Sequence, residues 1–357
     1  GLFGYVRRNV AVNAATGVKT AKWQSVDVTA GRYAGGLIGQ IYTDHTGCLY
    51  QISNVQFSGT ESKKNVVQGT ASGDIYAGGI VGKVTSYSGN NIISQCEVEN
   101  VEINTEALVS VNRQNIRAGG IVGQVDMGLV KINECSINKS HIYGSLSGGV
   151  AGSVNNAVVF TKCTISGGEN NTTTIIKGRK SAAGIAGEIV NNIRIAIHDS
   201  SVTNASITCI DDWGAGGLIG DVDWNAVPNL YFFDSKVDNC SIKGPRAGGL
   251  AGDVRGSLNG SNILLKDTNI EASSTNNTGL LIGLTGNRNL KPMTIAGISI
   301  QNTTAKENGN PITKLYGTIN NDEAAVKAQS YFSFADYNGT ASEATSDLWD
   351  ATSTSPY

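Results

Sequence analysis

A glycine-rich phrase recurs along the whole sequence and constrains the fold more than any other feature. Its clear copies read GLFGYV at residue 1, AGGLIGQI at 34, AGGIVGKV at 77, AGGIVGQV at 118, SGGVAGSV at 147, AAGIAGEI at 182, AGGLIGDV at 215 and AGGLAGDV at 247. Two weaker copies follow, TGLLIGLT at 278 and KLYGTI at 314, and successive closing glycines are 29 to 43 residues apart. One repeat of this length cannot bury its own apolar face, so the pattern predicts a solenoid, a propeller or another array.

The segments between the phrases alternate apolar and polar residues with a period of two, which is typical of strands. Examples are IISQCEV from residue 92 and VKINECSI from residue 130. The chain has 45 glycines, only five prolines and 16% charged residues, which favours strands joined by tight turns. We therefore predict an all-β fold, a β-solenoid of about ten coils over residues 1–320. Residues 321–357 are expected to form a short irregular C-terminal cap followed by a Ser/Thr-rich linker.

Each strand that carries the cysteine position, such as IISQCEV from residue 92, is expected to be followed by a sharp corner. Its column reads Gly59, Asn100, Lys139, Gly167, Asn204, Asn239, Ala272 and Asn302. Glycine and asparagine dominate this column because both tolerate the left-handed backbone conformation that a sharp corner needs.

Within the glycine phrase, alternation assigns a face to each position. The last apolar position, exemplified by Ile41 and Val84, is predicted to point inward together with the Leu37 position. The polar column before it is predicted to face solvent: Gln40, Lys83, Gln124, Ser153, Glu188, Asp221 and Asp253. The Ile38 column would then be apolar and outward, so either the strand bends at its glycine or another element covers this face.

Cys96, Cys135 and Cys163 occupy one position in successive repeats, which predicts an interior column of buried thiols. The same column is predicted to contain Val55, Ser200, Ser235 and Thr268. No metal site is predicted, because there is no CxxC pair and the three histidines, His45, His141 and His198, lie in different repeats.

The overall charge argues against several partners. With 27 basic and 29 acidic residues there is no basic surface for nucleic acid, and no apolar run is long enough to span a membrane. The GAGGLIG run at residue 214 superficially matches a dinucleotide loop, but it recurs as one of ten strand-forming copies, so no nucleotide or other cofactor is expected.

The recurring phrase resembles the glycine–leucine–any–glycine repeat, the GLUG motif of bacterial surface proteins and adhesins, including those of gut Bacteroidetes. The resemblance extends from Gly1 to about residue 319. It implies a right-handed parallel β-helix, export to the bacterial cell surface and a role in adhesion or envelope structure, and it implies no catalytic residues.

One local cluster of acidic and aromatic residues is the candidate ligand-binding site. It contains Asp211, Asp212, Trp213, Asp221, Asp223 and Trp224. Tryptophan beside carboxylates suits stacking on sugar rings with hydrogen bonds to hydroxyls, although Arg246 and Arg255 could simply neutralise a solvated acidic face.

The predicted function is a structural or adhesive repeat segment, a stalk or display module with no enzymatic activity. Expected partners are a host or microbial glycan, a surface protein, and further domains of a longer chain. The alternative is a polysaccharide lyase or glycoside hydrolase on the same scaffold, since Asp221 with Asp223 or Asp253 could supply two carboxylates.

Overall fold

The structure is a computed structural model, and it is nearly all β. It describes residues 2–12, 21–45, 47–60, 62–87, 89, 91–110, 115–168, 173–211, 213–223, 225–226, 228–275, 277–286, 293–313, 315, 317, 319–320 and 332–334. These residues form 42 strands and one short helix, Glu106–Ser110. In this part of the chain no helix has the length and apolar character needed to cross a membrane.

The strands form three long sheets, named A, B and C. Sheet A contains Phe3–Arg7, Ile38–Thr43, Val81–Ser86, Val122–Met127, Ala151–Val154, Ala186–Ile189, Ile219–Val222, Ala251–Val254, Ile282–Gly286 and Ile319–Asn320. Its ten parallel strands each come from a different repeat. The prediction of a parallel β-solenoid with about ten coils is therefore confirmed.

Sheets B and C each consist of two stacks of strands, which we call arms. Each coil passes in turn along sheet A, the two arms of sheet B and the two arms of sheet C. The first arm of sheet B contains Val10–Val12, Tyr50–Ser53, Asn91–Ser94, Val130–Asn133, Val158–Thr161, Arg194–His198 and Phe332–Phe334, and the second contains Ala21–Gln24, Val55–Ser58, Glu97–Glu99, Ser136–Asn138, Thr164–Ser166 and Ser201–Thr203. Three longer strands span both of these arms, Asn229–Asp238, Ser257–Lys266 and Met293–Gln301.

The first arm of sheet C contains Val28–Ala30, Asn65–Gly69, Val101–Ile103, Ala205–Cys209, Ser241–Gly244, Asn269–Ala272, Thr304–Glu307 and Asn310–Ile312. The second arm contains Tyr33–Gly35, Ile75–Gly78, Ile116–Gly119, Gly214–Gly216, Arg246–Gly248 and Thr278–Gly279, and His141–Gly148 and Thr174–Ala183 span both arms. Asn310–Ile312 turns back to pair antiparallel with Thr304–Glu307.

Two columns of corners flank the second arm of sheet B, and both adopt the left-handed conformation. In the predicted column Asn100, Lys139, Asn204, Asn239 and Asn302 have positive φ angles of 46° to 54°, and so does Asp267, which was not predicted, whereas Gly59 does not adopt the left-handed conformation. A second column, which the sequence did not reveal, has φ angles of 48° to 59° at Asn54, Gln95, Glu134, Lys162, Asp199, Asp234 and Asn262. Its Asn and Asp members tolerate this conformation, but Gln95, Glu134 and Lys162 carry no sign of a turn, so the column as a whole was missed.

Two positions of the predicted alignment are wrong by five residues. Ala272 lies in sheet C opposite Glu307, and Asp267 takes its place at the corner. Likewise Ile263, not Thr268, pairs with Ser235 in the cysteine column. Neither Ala272 nor Asp267 is a glycine or an asparagine, so no residue of that type marked the corner of this repeat.

The core is one continuous apolar cluster along the axis. Leu37, Ile41 and their equivalents are buried as predicted, and so is the Ile38 column, which was predicted to point outward. One strand ends at Gly35 and the next begins at Ile38, and the chain bends at the two residues between them, Gly36 and Leu37. That bend turns both apolar columns into the core, so of the two predicted alternatives the bend is the one found, and the Ile38 column does not form an outward apolar strip.

The bend depends on glycine because neighbouring coils touch there. A Cβ atom on Gly79 would lie 2.2 Å from the carbonyl oxygen of Gly120, which no side chain can tolerate. The cysteine column is buried as predicted: Cys96, Cys135 and Cys163 each directly precede a strand in the second arm of sheet B, and these three strands pair in successive coils.

Candidate functional site

The predicted acidic and aromatic residues are paired within the protein. Asp211 accepts a 2.6 Å hydrogen bond from Nε of Arg179. Trp213 is half-buried, with Nζ of Lys180 4.9 Å from its ring centroid. Asp223 accepts a hydrogen bond from the backbone N–H of Asn225. Asp212 and Trp224 lie outside the described residues.

The acidic column of sheet A is in register, but it is not solvated. Glu188 pairs with Asp221 across adjacent coils, and Asp253 follows in the next coil. Glu188 is 5% exposed, Asp221 2% and Asp253 0%, so the prediction of a solvent-facing acidic column is wrong.

The bend in the glycine phrase explains this burial. It turns the outer face of the second arm of sheet C against the outer face of sheet A: a Cβ atom on Gly248 would lie 2.6 Å from the amide nitrogen of Gly283. Side chains next to this contact, such as Arg246 and Asp253, therefore enter one concave line along the solenoid. We call this line, formed by the polar column of sheet A and the facing side chains of sheet C, the crease.

Arginines in the crease neutralise part of the acidic column. Arg246 Nη1 lies 2.6 Å from Asp253 Oδ2 and 4.0 Å from Asp221 Oδ1. Arg255 Nη2 donates to the same Asp253 oxygen at 2.7 Å. Neutralisation by these two arginines, the alternative reading of the acidic face, therefore holds for Asp253, although the face is buried rather than solvated.

Glu188 and Asp221 are less well compensated. Burial raises the pKa of the Glu188 carboxyl to about 7, although the positive charge of Arg117 acts to lower it. Burial also raises the pKa of Asp221, and the nearby charge of Asp253 raises it further. Asp221 Oδ1 is buried without a hydrogen-bond partner. Acids with raised pKa values are common at active sites, but these two do not face a surface that a polymer could reach.

The exposed aromatic surface lies elsewhere, at the first three coils. Tyr5 and Tyr42 lie in adjacent strands of sheet A, and Tyr87 directly follows the next strand; the ring centroids are 6.5 Å apart for Tyr5 and Tyr42 and 6.3 Å apart for Tyr42 and Tyr87. Tyr5 is 55% exposed and Tyr87 48%, and a hydrogen bond with Tyr42 raises the pKa of Tyr87. We call these three residues the tyrosine strip.

Hydrogen-bonding groups adjoin the tyrosine strip. Arg7 lies beside Tyr42 in the sheet, and its Nε donates to Asp44 Oδ2 at 2.8 Å. Gln40 pairs with Tyr5 and is half-buried. On the other side of the crease Tyr33 stacks on Tyr76, with centroids 5.3 Å apart.

No sequence pattern indicated the tyrosine strip. Tyr5 comes one residue after its closing glycine, whereas Tyr42 comes three and Tyr87 five residues after theirs. The rings therefore occupy different repeat positions: Tyr42 pairs with Arg7, two residues after Tyr5, and with Thr85, two residues before Tyr87, so the rings meet diagonally across the coils.

One group of side chains can hold a metal ion. His198, Asp199 and Asp234 place potential ligand atoms within 4.8 Å of one another, and no other such group occurs among the residues that the structure describes. It lies on sheet B, away from both the crease and the tyrosine strip.

Comparisons with known proteins place few constraints on function. No family model matches the chain, and no curated protein matches it. A solved structure described as a putative immunoglobulin A1 protease from Bacteroides ovatus is similar, with a TM-score of 0.37 and 13% sequence identity over 88% of this chain and 80% of that one. So distant a likeness carries no argument about what this chain does.

Proposed function

We propose that this chain is a non-catalytic adhesive segment of an exported bacterial surface protein, and that it binds an extended carbohydrate on the tyrosine strip. The observation that supports this most is the run of three tyrosine rings in consecutive coils, two of them about half exposed. Tyrosine combines a flat apolar face with a polar tip, which suits a surface that alternates between ring faces and hydroxyls. A contiguous exposed patch of this kind marks an interaction surface.

The polar groups around the strip supply the second part of such a surface. Arg7 is 61% exposed at its side chain, and Gln40 and Asp44 lie within the same strands or directly after them. Guanidinium and amide groups donate hydrogen bonds and carboxylates accept them, so sugar hydroxyls beside the rings would find partners of both kinds.

The export and surface location rest on the glycine phrase, and the scaffold suits them. A parallel β-solenoid with a continuous apolar core forms an extended support, and its exposed positions can repeat along a polymeric ligand.

The same geometry argues against the alternative lyase or hydrolase. A glycosidase needs two carboxyls that face the substrate, whereas Asp221, which belongs to both predicted pairs, is 2% exposed, and Asp253 is fully buried against Arg246 and Arg255. We propose that incubation with pectins, glycosaminoglycans and host glycans yields no new reducing ends or unsaturated products.

A glycan array, followed by titration with the bound polysaccharide, tests the proposal. We expect the double variant Tyr5→Ala, Tyr87→Ala to lose at least tenfold in affinity, while Trp213→Ala, the matched change in the acidic cluster, retains wild-type binding. Loss in Trp213→Ala alone would move the ligand to the acidic cluster. Absence of any bound glycan would refute the adhesive function as stated.

A further inference from the structure

We propose that His198 and Asp234 bind a borderline transition-metal cation, with Zn²⁺ as the reference ion, and that Asp199 and Asn262 orient them. His198 ends the strand Arg194–His198 in sheet B, and Asp234 lies in the strand Asn229–Asp238 of the next coil. The site would therefore join two consecutive coils, and it is independent of the proposed carbohydrate surface.

The distance between the two ligand atoms fits a metal better than a direct hydrogen bond. His198 Nε2 lies 3.3 Å from Asp234 Oδ2. A charge-assisted N–H···O bond is usually about 2.7 to 2.9 Å long. Two ligands at about 2.0 to 2.1 Å in tetrahedral geometry are separated by about 3.3 Å, which is the spacing seen here.

The other imidazole nitrogen is held in the way that metal-binding histidines usually require. His198 Nδ1 lies 3.0 Å from Asp199 Oδ2. Donation from Nδ1–H to this carboxylate selects the tautomer with the lone pair on Nε2, facing Asp234. A carboxylate behind the histidine also raises the basicity of the ligand.

Asp234 is oriented from the following coil. Asn262 Nδ2 donates a 2.6 Å hydrogen bond to Asp234 Oδ1, which leaves Oδ2 directed toward His198. Asp199, Asp234 and Asn262 all occupy the left-handed corner column, so the stacking of the coils brings their side chains together. The cation one coil earlier in that column, Lys162, has its own partner, since its Nζ lies 4.0 Å from Glu134 Oε1.

Exposure and ligand chemistry indicate the kind of ion. The side chains of His198, Asp199 and Asp234 are 32%, 41% and 22% exposed, so an ion can reach them from solvent. Imidazole suits zinc, copper and nickel, whereas calcium and magnesium prefer all-oxygen sites. With two protein ligands, water would complete the coordination.

Titration calorimetry of the full chain with Zn²⁺, under reducing conditions at neutral pH, tests the site. We expect one Zn²⁺ per chain, no binding of Ca²⁺, loss of Zn²⁺ binding in His198→Ala and Asp234→Asn, and a 10- to 100-fold weaker affinity in Asp199→Asn. The control is His45→Ala, since His45 has a single carboxylate nearby, Asp44 at 3.6 Å. That variant should bind as the wild type does.

A thermal melt separates ligation from misfolding. The apo forms of the His198 and Asp234 variants should melt near the apo wild type, while only the wild type and His45→Ala should gain stability on adding Zn²⁺. Wild-type Zn²⁺ affinity in His198→Ala, an equal loss in His45→Ala, or no binding by the wild type would each overturn the proposal.

Discussion

Arg246 crosses from sheet C to sheet A and places its Nη1 atom 2.6 Å from Oδ2 of the fully buried Asp253. The same guanidinium group is 4.0 Å from Asp221, so one cation faces two stacked acids. This contact connects the second arm of sheet C to sheet A, and it explains how a column of acidic residues can be buried in the crease. Stacked like charges without such a partner would repel each other.

Replacing Arg246 is expected to destabilise the protein strongly. Arg246→Met leaves Asp221 and Asp253 with Arg255 as their one shared counter-charge, and breaking a buried ion pair from one side costs about 3 kcal/mol or more. Urea unfolding followed by circular dichroism measures the loss. In the double variant Arg246→Met, Asp253→Asn most of that loss should be recovered, because the asparagine oxygen still accepts the hydrogen bond of Arg255 and a single carboxylate, Asp221, faces that arginine.

The control for this variant is Lys243→Met. Lys243 pairs with Glu271 at 3.2 Å, and both side chains are about half exposed. Exposed pairs contribute less than about 1 kcal/mol. If the Arg246 and Lys243 variants lost equal stability, the buried pair would have no special role.

The pH dependence of stability should carry the signature of Glu188. Its folded pKa of about 7 lies above the value of about 4.3 for an unfolded glutamate, so the folded state binds the proton more tightly. The stabilisation is therefore complete below about pH 4 and disappears as the pH rises to about 7. Over that interval the change amounts to about 4 kcal/mol at most.

Glu188→Gln removes this titration while keeping the shape of the side chain. We expect the variant to match the wild type near pH 4 and to exceed its stability at pH 8, as measured by urea midpoints at both pH values. Glu271→Gln, at the exposed pair with Lys243, should show no such crossover. A variant that is less stable than the wild type at pH 8 would mean that ionised Glu188 is stabilising.

The repeat predicted the coils, and the local alternation predicted most of the interior. Ile41, Val84 and the cysteine column were assigned correctly because their burial depends only on strand periodicity within one coil. Asp221 was assigned to solvent because alternation gives the outer face of a strand but not what lies against that face. Its burial follows from the bend before Ile219, which brings a different sheet onto it.

The candidate sites depended even more on contacts between coils. Tyr5 and Tyr42 come from adjacent coils and meet diagonally, because Tyr42 pairs with Arg7, two residues after Tyr5. His198 and Asp234 are 36 positions apart and meet because both coils turn at the same corner column. Neither contact has a motif in the linear sequence, so neither could be predicted from it.

The second glycine of the phrase should not tolerate a methyl group. A Cβ atom on Gly120 would lie 2.1 Å from the carbonyl oxygen of Gly149 and 2.6 Å from Ile137 Cγ1. Because the neighbouring coil cannot move away without breaking its own pairing, we expect Gly120→Ala to cost about 3 kcal/mol. In contrast, a Cβ atom on Gly31 meets nothing within 4 Å, and Gly31→Ala should change stability by less than about 0.5 kcal/mol. Equal urea midpoints for the two variants would contradict the close approach of the coils.

The cysteine column should make the native protein resistant to thiol reagents. Burial raises the pKa of the Cys163 thiol to about 12, and the pKa of Cys135 is also raised well above its ordinary value. The thiolate is the reactive form, so both low accessibility and a high pKa slow the reaction.

We expect none of the three stacked cysteines to be labelled within minutes at pH 8 in the native state, and all three to react at once in denaturant. Cys48, which is 8% exposed, is expected to react first on partial unfolding. Mass spectrometry of the labelled peptides identifies each site, and rapid native labelling of Cys135 would show that the column is open to solvent.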